Sequence, residues 1–475
     1  MTSRKTGPDS IWALKAVSPR ALTVLVDRDT VLDSEILLDL LLRRDGIEVL
    51  NYRDDGPPTD AEFTPDDFHP PTAIGWVTVG QPTQDGPFSA RSILTATETA
   101  VSESSLLTDS LKYLPLMLEN AASMDVEEND ILLYAVADEL GVDILVTDRA
   151  DLLGSPLATG RLQVRSSAVS IAVVSLYLRG TEDPPAAVSP TLTEVVRPAS
   201  HYYSVIAEEY VPSLTIVADR LKTTTTEAEH NLVEAVQRKL GSALARRDAV
   251  WRMALQHPSL AQLDEMSAEV DALLLFLTSA LDALARFLDS SMSIQSHRSK
   301  VGFQREDWRA ALTSALGSEF HLTPDEVHLI SAVSGLRNFT HGVGSRTLPI
   351  DVGVHVWKKT TSYAMYEYQG STPGWSDPLD ALTALRNTGL ATPAFDMWPV
   401  RGRPEVFITP GPLCDLLVAG TFSLIQSVCD GYVHARGIEP TYTQPTGLRI
   451  RPDVRRQQIF QFIGLPGFGG AHSLA

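Results

Sequence analysis

Apolar and polar residues alternate along this chain in two different rhythms. From residue 21 to about 182, short apolar runs are interleaved with stretches of helical spacing, whereas from 191 to 345 the apolar positions recur every three or four residues with few breaks. The run ALTVLV at 21–26 is short and rich in β-branched residues, which predicts a strand that delivers Asp27 to its carboxyl end. DSEILLDLLLRR then predicts a helix, and IEVLNY and AIGWVTV predict two more strands. Between those strands, residues 53–72 carry many Asp and Pro residues and few apolar anchors, as an exposed loop does. Helical spacing resumes over 92–121.

The most informative stretch is DILLYAVADELGVDILVTDRADLL at 130–153. Its apolar positions Ile131, Leu132, Ala135, Val136 and Leu140 predict a helix that stops at Gly141, after which DILVT predicts a buried strand ending just before Asp148. A further strand and helix over 161–180 close the pattern. Strands alternating with helices imply a mostly parallel sheet, and in such sheets functional groups gather at the carboxyl ends of the strands.

The expected organisation is a tail at 1–20, an α/β parallel-sheet domain at 21–182 and a Pro-rich linker at 183–190, followed by a helical bundle at 191–345. A mixed extension at 346–475 is expected to pack on that bundle. Helices are predicted at about 191–221, 225–256, 259–290, 304–317 and 323–342, the last with Thr323 as N-cap, Pro324 in the first turn, and Asp325 and Glu326 favouring the helix dipole. In the extension, VGVHVW and AMYEYQ predict a hairpin, and LCDLLVAGTFSLIQSVCDGYVHARG predicts a helix.

Composition narrows the chemistry. At 475 residues the chain exceeds what one core supports, so two or more domains are expected. No uninterrupted apolar run reaches membrane-spanning length, and the first ten residues have no apolar signal core, so a cytoplasmic protein without a membrane partner is expected. The two cysteines, Cys414 and Cys429, form no CxxC or Cys/His cluster, so any metal would take oxygen ligands. A formal charge of −20 argues against broad, sequence-independent nucleic-acid binding, although it is compatible with an acidic catalytic pocket and a local Arg patch.

Three aspartates, Asp27, Asp130 and Asp148, are placed to converge at one sheet edge. Converging carboxylates repel one another and need a counter-ion, and a divalent cation such as Mg2+ or Mn2+ suits oxygen ligands and activates water for phosphodiester hydrolysis. VLVDRDTVL at 24–32 and the stretch at 130–153 resemble the PIN nuclease family, a resemblance that covers about a third of the chain. It implies that Asp27, Asp130 and Asp148 bind metal with Asp151 as a neighbour, that Asp29 stands where many members carry Asn, and that a middle helix supplies a glutamate, Glu98 or in reserve Glu103. Asp is also favoured for purely backbone reasons at a strand end, a helix N-cap and a turn, and that account of the three residues stays open.

A second constellation lies at the end of the helix 323–342, where Arg337 and His341 are one turn apart with Asn338 beside them. A guanidinium holds phosphate while an imidazole moves a proton, the requirements for metal-free RNA cleavage through the 2′-hydroxyl. LRNFTHG after the helical LLLFLTSALDALARFLD resembles the HEPN superfamily, with three residues between Arg and His where that family has four to six. The resemblance implies that Arg337 contacts phosphate, Asn338 orients it, His341 is acid or base, and two chains pair as a homodimer. Arg337, Asn338 and Gly342 also suit a plain helix terminus, with His341 near the negative end of the dipole. His297, Arg298, Lys300 and Arg305 make the most basic stretch of the helical region, a solvated loop or a phosphate-facing patch.

The two resemblances together imply a Mg2+- or Mn2+-dependent endoribonuclease joined to a helical RNA-binding or RNA-cleaving domain, acting as a toxin or defence effector. The alternative is a non-catalytic interaction or sensor protein that keeps both folds.

Overall fold

A computed structural model describes residues 22–31, 36–44, 46–56, 74–80, 89–95, 126–154, 162–179, 199–224, 227–254, 260–294, 300–342, 346–354, 359–369, 397–399, 405–408, 410–438 and 459–465. The chain divides into two compact units, Met1–Ala187 with Val354–Lys359, and Val188–Gly353 with Thr360–Ala475.

The N-terminal unit is built on a six-stranded sheet. Its strands are β1 (Leu22–Asp27), β2 (Ile47–Tyr52), β3 (Ile74–Gly80), β4 (Ser89–Thr95), β5 (Ile144–Val146) and β6 (Gln163–Arg165), in the order β4-β3-β2-β1-β5-β6. All neighbours are parallel except β3 and β4. The central position of β1, with Val24 opposite both Val49 and Ile144, explains its unbroken apolar run: a strand covered on both faces loses the alternation of a half-exposed one. Leu25, Leu50, Tyr52 and Leu145 pack with Ile131, Leu133, Ala135 and Val136 of α2 (Glu128–Glu139). The alternate residues Val24, Val26, Val49 and Val146 are also buried, as period-2 geometry requires when helices cover both faces. Helix α1 (Ile36–Leu42) packs on α4 (Ser167–Arg179), and the five-residue α3 (Ala150–Gly154) lies against α2 and β6.

Two local expectations are met closely. Helix α2 ends where the sequence predicted: Gly141 takes φ +63°, its N–H donates to Asp138 O at 3.1 Å, and Val142 N–H donates to Ala137 O at 3.2 Å, so the last carbonyls are satisfied. IEVLNY is β2, residue for residue. The expected helix beginning at Ser92 is corrected, because residues up to Thr95 belong to β4 and pair antiparallel with β3 from Ile74↔Thr95 to Gly80↔Ser89. Pairing with an open sheet edge outweighed the local helical spacing. Residues 96–121 lie outside the described residues.

The second unit is mostly helical: α5 (Ala199–Tyr210), α6 (Pro212–Thr224), α7 (Glu227–Ala254), α8 (Leu260–Ser291), α9 (Glu306–Leu316), α10 (Pro324–Gly342) and α11 (Pro410–Ala435). The helix expected over 191–221 is broken at Pro212, whose ring removes a backbone donor and clashes with the preceding turn. Thr323 caps α10 reciprocally with Glu326: Glu326 N–H donates to Thr323 Oγ1 at 3.2 Å, and Thr323 N–H donates to Glu326 Oε2 at 2.7 Å. Helices α7 and α8 are the long packed pair, and α11 lies against α6, α7, α8 and α10. Among the described residues α11 is the one helix long and apolar enough to cross a membrane, and most of its apolar stretch is buried in the unit. Strands β7 (Arg346–Val354), β8 (Lys359–Gln369), β9 (Met397–Pro399) and β10 (Glu405–Ile408) form a sheet of order β7-β8-β10-β9, with β10 antiparallel to both of its neighbours.

Candidate functional site

The carboxyl edge of the first sheet collects acids from four segments. Asp27 ends β1, Asp29 lies in the turn after it, Asp54 follows β2, and Asp130 sits in the first turn of α2. Tethered beyond β5, the Arg149 guanidinium reaches into their midst. Its Nε donates to Asp27 Oδ2 at 2.8 Å, its Nη1 to Asp130 Oδ1 at 3.1 Å, and its Nη2 to Asp54 Oδ1 at 3.1 Å and Asp27 Oδ1 at 3.2 Å. Asp29 Oδ2 lies 3.6 Å from Nη2.

Asp27 has no solvent-exposed surface, which alone would raise its pKa. Hydrogen bonds from Arg149, Thr30 and Thr147 outweigh that burial and hold the carboxyl below its ordinary range. Thr30 Oγ1 and Thr147 Oγ1 each donate to Oδ2 at 2.7 Å, and Asp29 N–H donates to Oδ1 at 3.2 Å. Asp130 shifts the other way. Burial pushes its pKa up, and the charges of Glu127 and Asp151 add to that, against the Arg149 hydrogen bond. Arg149 is driven above its already high range despite burial, because Asp27, Asp54 and Asp130 all favour its charged form. Tyr52, buried beside this cluster, is raised by burial and by Asp54.

Of the acids singled out from sequence, Asp27 and Asp130 meet at Arg149, and Asp148 takes another role. Its Oδ1 accepts the N–H of Ser167 at 2.9 Å, where an acidic side chain meets the unsatisfied donors at the start of α4. Its own N–H donates to Thr30 Oγ1 at 3.0 Å, which ties the β5 turn to the β1 turn. Asp151 is an exposed residue in the first turn of α3 and acts on Asp130 through its charge. Glu98 and Glu103 lie outside the described residues.

Sequence reasoning missed Arg149, Asp54, Thr30 and Thr147. The signal for Arg149 was present: converging carboxylates demand a cation, and an arginine stands one residue past Asp148. Asp54 lies in an exposed turn, as the loop expected from residue 53 onward implies, and from there its N–H donates to Asp29 Oδ2 at 2.7 Å and Asn129 Nδ2 donates to its Oδ2 at 3.4 Å.

The fit of a divalent ion follows from these donors. Asp27 Oδ2 already accepts three hydrogen bonds and Oδ1 two, so its lone pairs are taken by hydroxyls, a backbone amide and a guanidinium. With Arg149 in place the arrangement does not fit Mg2+ or Mn2+. Among the described residues no group of three or more His, Cys, Asp or Glu side chains is disposed to hold a metal.

In the helical unit, Arg337 Nη1 donates to Asn338 Oδ1 at 3.1 Å, so this neighbouring pair on α10 is joined directly. The Arg337 charge also reaches Asp282 on α8, whose pKa burial raises against the opposing influence of Arg286, Gln304 and Arg337. The backbone of His341 belongs to α10, while its side chain, like His297 and Arg298, lies outside the described residues.

No family model, curated protein or solved structure matches the chain.

Proposed function

We propose that this chain is a non-catalytic, two-unit interaction protein: a PIN-like α/β unit acting as a scaffold, joined to a HEPN-like helical unit that receives a partner protein or a nucleotide signal. The observation that carries this reading is Arg149, whose guanidinium takes up the lone pairs of Asp27 that a catalytic metal would use. Asp148 supports it further, being spent on the start of α4. Arg149 is equally unsuited to grip an RNA phosphate, since each of its three nitrogens already donates to a carboxylate.

A Mg2+- or Mn2+-dependent endoribonuclease, serving as a toxin or defence effector, is the second reading. In its favour, Asp27 and Asp130 lie close enough for one guanidinium to bridge them. That reading requires Arg149 to leave the cluster.

A cleavage assay on single-stranded RNA with the full chain separates the two, run with Mg2+, Mn2+ and chelator beside Asp130→Asn and His341→Ala. The scaffold reading expects background cleavage under every condition. Metal-dependent cleavage lost in Asp130→Asn would establish the nuclease, and chelator-resistant cleavage lost in His341→Ala would move activity to the helical unit.

A further inference from the structure

In the sequence IFQFIGL at 459–465, Ile459, Phe462 and Ile463 stand at i, i+3 and i+4, the spacing that gives a short helix one apolar face. The segment is helical over 459–463 and is closed by Gly464, which takes φ +71° and donates its N–H to Phe460 O at 2.9 Å. Ile459, Phe462, Ile463 and Leu465 are buried, while Gln461 and Gly464 are exposed. A helix this short is not stable by itself, so the groove that receives it supplies its order.

That groove is braced by groups outside the segment. Arg247 of α7 is fixed by two acids of the helical unit, its Nε donating to Asp415 Oδ1 of α11 and its Nη1 to Asp248 Oδ1 at 2.9 Å. The acids are held in turn, Asp248 by the Tyr203 hydroxyl at 2.9 Å and Asp415 by Trp251 Nε1 at 3.0 Å. Tyr210 of α5 meets Phe422 of α11 edge to face, with ring centroids 5.6 Å apart. Into this frame the segment brings the Phe460 ring, 4.5 Å from that of Tyr210, and the carbonyls left over at its helix end. Ile463 O accepts from Arg247 Nη1 at 2.8 Å, and Leu465 O accepts from the Tyr210 hydroxyl at 3.2 Å. Backbone carbonyls carry no side-chain identity, so these two donors serve any helix end of the same shape.

A frame braced from its own side and a segment ordered only by docking stand to each other as receptor and ligand. We infer that the groove where α5, α7 and α11 meet is a peptide-docking site, held in cis by residues 459–465, and that a partner protein's short amphipathic helix takes their place. The partner helix matches the segment in chemistry: aromatic or aliphatic residues at the spacing of Ile459, Phe462 and Ile463, and free carbonyls at its end. Covalent tethering gives the segment a high effective concentration, so it fills the groove until a partner outcompetes it. This inference rests on the reading of the helical unit as the receiver of a partner protein.

The test titrates a fluorescein-labelled peptide with the sequence of residues 457–467 into the full wild-type chain and into full chains carrying Phe462→Ala or Gly464→Ala, read by anisotropy. A second peptide, with a benzophenone in place of the Phe460 ring, maps the contact by photo-cross-linking. Each substitution loosens the segment and leaves the groove intact, so the open fraction rises and the apparent Kd falls. Both variant chains are expected to bind the peptide about tenfold or more tightly than the wild type, with cross-links in α5 or α11. A peptide with Ala at the positions of Phe462 and Ile463 should lose that affinity. Equal affinity for the three chains, absence of binding included, overturns the inference, as do cross-links outside α5, α7 and α11. Loss of the helical circular-dichroism signal in both variants overturns it as well, because the segment is then part of the core. Each of these outcomes leaves the scaffold reading standing, whereas metal-dependent RNA cleavage by the wild-type chain overturns that reading whatever the peptide does.

Discussion

Arg149 meets Asp27 with two nitrogens at once, Nε 2.8 Å from Oδ2 and Nη2 3.2 Å from Oδ1, and so joins the end of β1 to the turn after β5 across 122 positions of sequence. Both side chains are withdrawn from water, the Asp27 carboxylate completely and the Arg149 side chain to 10% exposure. Paired charges in such surroundings are stable together and costly apart. Arg149→Met is expected to destabilise the N-terminal unit by about 3–5 kcal/mol, because it strands a buried carboxylate, and urea unfolding of the full chain measures this.

The two central acids should respond oppositely to pH. Asp27 has a folded pKa below its unfolded value, so its contribution is fully present above the ordinary carboxylate pKa of about 3.9 and is lost as pH falls through the lower folded value. Asp130 has a folded pKa above its unfolded value, so lowering the pH through that raised value adds stability. Urea midpoints taken from pH 2 to 7 are expected to show a flatter acid limb for Asp27→Asn than for the wild type. Asp130→Asn should remove the opposite slope just above the ordinary carboxylate range.

The same two sites predict a contrast at neutral pH. Asp27→Asn replaces an oxygen that accepts several donors with an NH2 group that faces them, and a loss of about 2 kcal/mol or more follows. Asp130 accepts a hydrogen bond from Arg149 Nη1 on one oxygen, which an asparagine oxygen reproduces, so its loss should stay below about 1 kcal/mol. Equal losses would show that Arg149 does not discriminate between them.

A fourth prediction concerns residues 459–465. Arg247, buried between Asp415 and Asp248, donates through Nη1 to Ile463 O at 2.8 Å, and Tyr210 donates its hydroxyl to Leu465 O at 3.2 Å. Tyr210 and Phe460 stack with ring centroids 4.5 Å apart, and Phe462, Ile463 and Leu465 are buried. Truncation before Ile459 therefore exposes apolar surface and leaves a buried arginine donor without its carbonyl, at a cost of several kcal/mol to the helical unit. Thermal unfolding and limited proteolysis of the truncated chain should show that unit opening at lower temperature.

Capping gives a fifth, local prediction. Thr323→Ala removes the hydroxyl that accepts the Glu326 amide at the start of α10, and a loss of about 1 kcal/mol is expected by denaturant titration. Glu326→Gln should lose less, since its oxygen still accepts the Thr323 N–H.

Much of this arrangement is legible in the chain itself. ALTVLV, IEVLNY and DILVT announce buried strands through apolar content, Gly141 marks the end of α2, and Thr323 with Glu326 marks the start of α10, because each of these signals acts over a few residues. The strand at Ser89–Thr95 was not legible, since its partner is the edge of β3 and not anything in its own spacing.

Sequence by itself determined that Asp27 would end a strand and that Asp130 would open a helix, since short-range periodicity and caps suffice for both; that the strand is central in the sheet came from the tertiary structure. Only the tertiary structure decided that their counter-ion is Arg149, that Asp54 joins them from beside β2, and that Asp148 is turned to Ser167. Charge pairing in a fold depends on distance through space, and residues separated by 19, 95 or 122 positions declare no such distance in their order along the chain.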